Sequence, residues 1–128
     1  MKQYNQLLFH YKLNQKMEKL TTMTMKLDIF MRIGKMNGQI LEISQKITEK
    51  QSEVDSIKFT LTYICNEDSY NYFRSVNNIV MVTFIQTEVL KNSSKLEMLK
   101  YEIAELVERK EQLTLESGIA VDQYNIIE

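Results

Sequence analysis

The chain has no proline, and among its 128 residues there are only three glycines, one cysteine and one histidine. With glycine confined to positions 34, 38 and 118, residues 39–117 contain nothing that breaks a helix or requires a positive φ. That excludes a loop-built enzyme, a collagen-like chain and a Pro/Gly linker. The longest apolar run, Ile79-Val80-Met81-Val82, falls far short of the roughly 20 residues a membrane span needs, so no membrane partner is expected. Cys65 has no second thiol to pair with and no secretory signal opens the chain, which predicts a soluble, cytoplasmic protein. Charged residues make up 26% and hydrophobic ones 44%, so most of the chain is expected to fold.

Catalytic chemistry is also scarce. His10 has no carboxylate or thiol at ligand spacing, and Cys65 ends an apolar track, the setting of a small packing residue more than of a thiolate. Glu67-Asp68 is a lone acidic pair, too little for a metal site or a glycosidase, and there is no Gly-rich phosphate loop. We therefore expect no enzyme, no cofactor and no metal. The net charge is −1, unevenly spread: residues 1–32 hold six Lys/Arg against two acids, while acids gather in residues 88–116. A basic opening of that size is too weak to imply a nucleic-acid partner.

Two heptad tracks organise the rest. The first is Ile33, Met36, Ile40, Ile43, Ile47, Lys50, Val54, Ile57, Leu61 and Ile64, at alternating steps of three and four. It reads as a helix about 48 Å long, suited to a coiled coil. The second is Val89, Asn92, Leu96, Leu99, Ile103, Leu106, Lys110 and Leu113. Ser94 and Glu97 match a capping box, yet the heptad phase reaches back to Val89, so this helix is expected to begin near Thr87. Ser117-Gly118 supplies a stop. The expected seam comprises Ile40, Ile43, Ile47, Val54, Ile57 and Leu61 against Leu96, Leu99, Ile103 and Leu106.

Between the tracks the period changes. After the polar break Asn66-Glu67-Asp68-Ser69, the run Tyr70, Tyr72, Phe73 and Val76 is followed by Asn77-Asn78. Then come Ile79, Val80, Met81, Val82 and Phe84, rich in β-branched and aromatic types. Two β-type runs around an Asn-Asn turn predict a hairpin. The fold class expected is therefore mainly α: a long antiparallel two-helix coiled coil with a β-hairpin inserted between the helices. A lone apolar hairpin is unstable and has open edges, so the protein is expected to oligomerise through it.

This order of elements resembles the β-type subunits of prefoldin, and within that family is similar to the subunit 2 branch. The likeness spans residues 30–117 and rests on Tyr72-Phe73-Arg74-Ser75-Val76-Asn77-Asn78-Ile79-Val80-Met81-Val82, then Glu88-Val89-Leu90. Asn77-Asn78 stands where the family has glycine, and Lys91 where it often has proline. The resemblance implies a heterohexamer with other α- and β-type subunits, whose hairpins form a β-barrel platform. Helix tips hold unfolded client proteins such as actin and tubulin and pass them, without ATP, to the cytosolic chaperonin. Met31, Met36, Leu115 and Ile119 would form that client-contact tip. Met1, Met17, Met23 and Met25 lie at the same end, either as coiled-coil core or as a plastic contact surface. The residues also leave open a coiled-coil scaffold or adapter without client binding, and a tubulin-binding-cofactor-like helical bundle. A strand within 70–85 would separate the first reading from these two.

Residues 1–29 form an extension outside the resemblance, expected to be helical, and 118–128 a tail. The extension has its own track, Leu13, Met17, Leu20, Thr24, Leu27 and Met31, two residues out of phase with Ile33, Met36 and Ile40. A phase slip in one long helix, a separate short helix and a loose extension all fit that offset.

Overall fold

A computed structural model of the chain describes residues 2–127 and contains three helices: α1 (Lys2–Tyr63), α2 (Glu67–Ser75) and α3 (Ile79–Ile126). The protein is mainly α, as the heptads require. It divides into two compact units, one formed by Met1–Leu41 with Glu111–Glu128 and the other by Glu42–Lys110.

In the Glu42–Lys110 unit, α1 and α3 run antiparallel. Lys50 Nζ donates to Glu102 Oε2 at 2.6 Å, and Lys95 lies 3.9 Å from Glu53. Beside these pairs Val54, Ile57 and Leu99 are buried, with Leu61, Leu96 and Ile103 packed against them. Ile43 is also buried, and Ile47 and Leu106 are half-buried. The heptad positions carry this packing because residues spaced three and four apart share one helix face. Leu99, at 2% exposure, is the most enclosed of these side chains.

The expected β-hairpin is absent. Tyr70, Tyr72 and Phe73 belong to α2, Val76 is its C-cap, Asn77 and Asn78 form the connection, and Ile79, Val80, Met81, Val82 and Phe84 open α3. Among the described residues there is no strand. The physical reason is in the asparagines. A two-residue hairpin turn of type I′ needs positive φ at both centres, and here only Asn77 has one, 54°. Asn77 instead ends α2 in the left-handed conformation. Its N–H donates to the Arg74 carbonyl at 3.2 Å and that of Asn78 to the Phe73 carbonyl at 2.9 Å, a Schellman closure. Asn78 then caps α3, its side-chain Oδ1 accepting from the Met81 N–H at 3.2 Å. Asn66 does the same for α2, accepting from the Ser69 N–H at 2.8 Å, with Glu67 and Asp68 in the first turn and Arg74 in the last. Each supposed turn signal is a helix cap. Helices satisfy their own backbone groups, whereas a two-stranded ribbon with no further strand leaves both edges open.

The helix boundaries differ from expectation elsewhere too. α3 starts at Ile79, well before Thr87; Ser94 lies within it, as the heptad phase reaching back to Val89 implies. It also passes through Ser117-Gly118 with no positive φ at the glycine, so the expected stop does not occur. In the Met1–Leu41 unit the reason is visible. Leu113, Ser117 and Ala120 are buried and Tyr124 is half-buried at steps of four, three and four, extending the heptad phase of the second track. Ser117 Oγ–H donates to Asn37 Oδ1 at 3.0 Å, which satisfies the buried hydroxyl.

Candidate interaction surface

Residues 2–33 lie within one helix, which answers the out-of-phase track: the helix does not slip, and its apolar residues change face. Ile29 is buried and Ile33 and Met36 half-buried in the Met1–Leu41 unit. Leu27 precedes Ile29 by two residues, and Met31 precedes Ile33 likewise. At about 100° per residue, two residues carry the side chain roughly 200° around the helix. The track Leu13, Met17, Leu20, Thr24, Leu27 and Met31 therefore occupies the face opposite the buried one.

That outer face is wider than a heptad seam. Phe9, Met23 and Phe30 share a seven-residue series with Lys16 and flank the track on one side. Phe9, Leu13, Met17, Leu20, Met23, Leu27, Phe30 and Met31 are 43–65% exposed, from Leu13 at the lowest to Met23 at the highest. Eight such side chains present roughly 800 Å², on the scale where a buried aromatic contributes 150–250 Å². Contiguous apolar patches above a few hundred Å² mark interaction sites. A groove of about 560 Å³ opens along the edge of this face, lined by Leu20, Met23, Thr24, Leu27 and Phe30 of α1 and by Tyr124 of α3. The Phe30 and Tyr124 rings lie 6.4 Å apart, and Lys26 Nζ stands 5.0 Å from the Tyr124 centroid, a cation–π contact that fixes the tyrosine in the groove wall.

Met31, Leu115 and Ile119 of the expected tip are exposed, and Met36 is half-buried. Of the other methionines at that end, Met17, Met23 and Met25 are exposed and Met1 lies outside the described residues. Met17, Met23, Met25 and Met31 therefore contribute no buried side chain to a core, while Met36 is partly covered. Met23 and Phe30 were legible as a seven-residue series; Tyr124 was not, because nothing local ties the tail to α1.

A second groove, of about 830 Å³, lies in the Glu42–Lys110 unit, where Leu61, Cys65, Tyr70, Ile85 and Val89 meet. Gln86 Nε2 donates to the Tyr70 hydroxyl at 3.4 Å across it. Cys65 is buried there, and desolvation, with a smaller contribution from the Glu88 charge, pushes its thiol above the ordinary value. A thiol so placed is disfavoured from ionising to the thiolate. The expected assembly residues Val76, Ile79, Val80 and Phe84 are exposed, as is Tyr72, while Tyr70, Phe73, Met81 and Val82 are half-buried. His10 is exposed on α1 beside the Phe9 ring. Among the described residues no three His, Cys, Asp or Glu side chains converge as metal ligands would, and no helix is long and apolar enough to cross a membrane.

Comparison with protein families, with curated proteins and with solved structures finds no match for this chain.

Proposed function

We propose that this protein is a coiled-coil scaffold or adapter that works by pairing its helices with those of other proteins and not by catalysis. The observation that carries this reading is the outer face of α1, an apolar stripe at heptad spacing on which no helix packs among the described residues. Burying apolar surface contributes about 25 cal/mol per Å², so a stripe of this size is a strong drive to associate. Its extent matches the roughly 800 Å² per partner of a standard protein interface.

A prefoldin-like subunit that holds non-native clients for the cytosolic chaperonin is a second reading. It is favoured by the exposed methionines 17, 23, 25 and 31, whose flexible side chains suit many partners. With α2 and the start of α3 in place of a hairpin, the β-barrel platform has no strand here to build from, so we place this reading second.

Light scattering of the purified chain, together with aggregation assays on a heat-unfolded test enzyme, separates the two. An adapter forms discrete complexes with helical partners and leaves aggregation unchanged. Suppression of aggregation at near-stoichiometric ratios would overturn the adapter in favour of the holdase.

A further inference from the structure

We propose that α1 and α3 share a flexible joint at Gly34–Gly38 and Ser117-Gly118, where both helices open locally while the pair on either side stays folded. The joint goes beyond the adapter reading and does not depend on what covers the outer face of α1. All three glycines of the chain fall at this one level of the unit formed by Met1–Leu41 and Glu111–Glu128. The hydrogen bond from Ser117 Oγ–H to Asn37 Oδ1 sets the level, since Asn37 adjoins Gly38 and Ser117 adjoins Gly118.

Neither usual reason for a glycine applies here. Each lies inside a helix and none has a positive φ. A methyl group at 34, 38 or 118 would meet nothing within 4 Å beyond its own helical turn, so no close approach requires the missing side chain. What remains is backbone freedom. Relative to alanine, glycine disfavours a helix by about fivefold per residue, and it leaves the backbone hydrogen bonds open to water. All three glycines are exposed.

Packing thins at the same level. The buried α3 residues there are Ser117 and Ala120, both small, whereas Val54, Ile57 and Leu99 fill the seam of the Glu42–Lys110 unit. Less apolar area is removed from water, so less opposes a local opening. Helices give way at Gly/Ser pairs and where water enters the hydrogen-bond ladder, and Ser117-Gly118 is such a pair. A yielding point in one helix of a pair is splinted by its neighbour; here both helices yield side by side. The weak level is also internal and not a fraying end. Beyond it the Phe30 and Tyr124 rings lie 6.4 Å apart and Lys26 Nζ stands over Tyr124, which ties the two helices together again.

Hydrogen–deuterium exchange on the full chain tests this, beside the triple variant Gly34→Ala, Gly38→Ala and Gly118→Ala. Backbone amides at 33–38 and 116–119 should exchange about tenfold faster than those at 27–31 and 121–125, and faster still than those around Val54 and Leu99. The alanines should slow exchange at the joint by about tenfold or more and leave the Val54 and Leu99 regions unchanged. Trypsin gives a second reading, because Lys35 lies between two of the glycines and is exposed. Cleavage after Lys35 should outpace cleavage after Lys46 and Lys58 in the parent chain, and lose that lead in the triple variant. Joint amides as protected as those at 27–31 and 121–125 overturn the proposal. So does exchange or Lys35 cleavage that the alanines leave unchanged. A triple variant that melts lower or exchanges faster overturns it as well, since the glycines would then be making room for packing. None of these outcomes touches the adapter reading, which stands or falls on light scattering and aggregation.

Discussion

Truncating Leu99 to alanine probes whether the seam of the Glu42–Lys110 unit holds that unit together. Leu99 is 2% exposed and sits against Val54 and Ile57, themselves buried. The change removes three carbons, and at about 0.8 kcal/mol per buried methylene the transfer loss is about 2.4 kcal/mol. A cavity contribution adds to this, but two packed helices can close on the gap or admit water more readily than a thick core. The expected cost is therefore about 3 kcal/mol, in the lower half of the 2–5 kcal/mol range for such truncations. For a chain of this size that lowers the melting temperature by about 10 °C. Urea titration followed by far-UV circular dichroism measures it, with the slope against denaturant unchanged if the unfolded state is unaffected. Leu115→Ala is the control. Leu115 is 67% exposed, so its truncation should cost under about 0.5 kcal/mol. If Leu99→Ala costs no more than Leu115→Ala, the seam does not lie where Val54, Ile57 and Leu99 place it.

Two further outcomes are expected at the connection and at the ion pair. Asn77, with φ 54°, should tolerate glycine to within about 0.5 kcal/mol, whereas Asn77→Val should cost about 1–2 kcal/mol in thermal unfolding. Its neighbour separates a helix cap from a hairpin turn: Asn78→Ser keeps the cap and should be near neutral, while Asn78→Ala should cost about 0.5–2 kcal/mol. A hairpin would show no such distinction. Lys50 has its pKa raised above 10.5, first by its hydrogen bond to Glu102 and, against desolvation, by the charges of Glu102, Glu53 and Glu49. A cation with a raised folded-state pKa stabilises in full below its unfolded value and loses that contribution as pH climbs through the folded one. The pair's contribution should therefore be flat at neutral pH and fade above about pH 10.5. NMR titration of the Lys50 side chain should move to lower pH in Glu102→Gln; an unmoved titration would remove Glu102 as the cause.

The part of the fold that heptads encode was legible because helix pairing is written in local periodicity. Val54, Ile57, Leu61, Leu96, Leu99 and Ile103 come at three- and four-residue steps, and the same residues pack together. The segment from Tyr70 to Phe84 was misread because β-branched and aromatic residues suit either a strand or a half-buried helix, and short runs carry too few periods to choose. Asparagine adds to the ambiguity, since one residue type serves hairpin turns, helix C-termini and N-caps. At the far end of α3, Ser117 and Ala120 are too weakly apolar to extend a track by hydropathy, although their small size lets them sit buried beside α1.

The helical class, the phase of each seam and the two-residue offset between the tracks of α1 are all written in the heptad spacing. These follow from a repeat fixed by the geometry of one helix. The meaning of the offset comes from packing between helices. Packing against α3 buries Ile29 while Leu27 and Met31 stay exposed, and that contrast defines an inner and an outer face. No local pattern can say which of two apolar faces a chain will cover with its own residues, because that depends on where a distant helix lies.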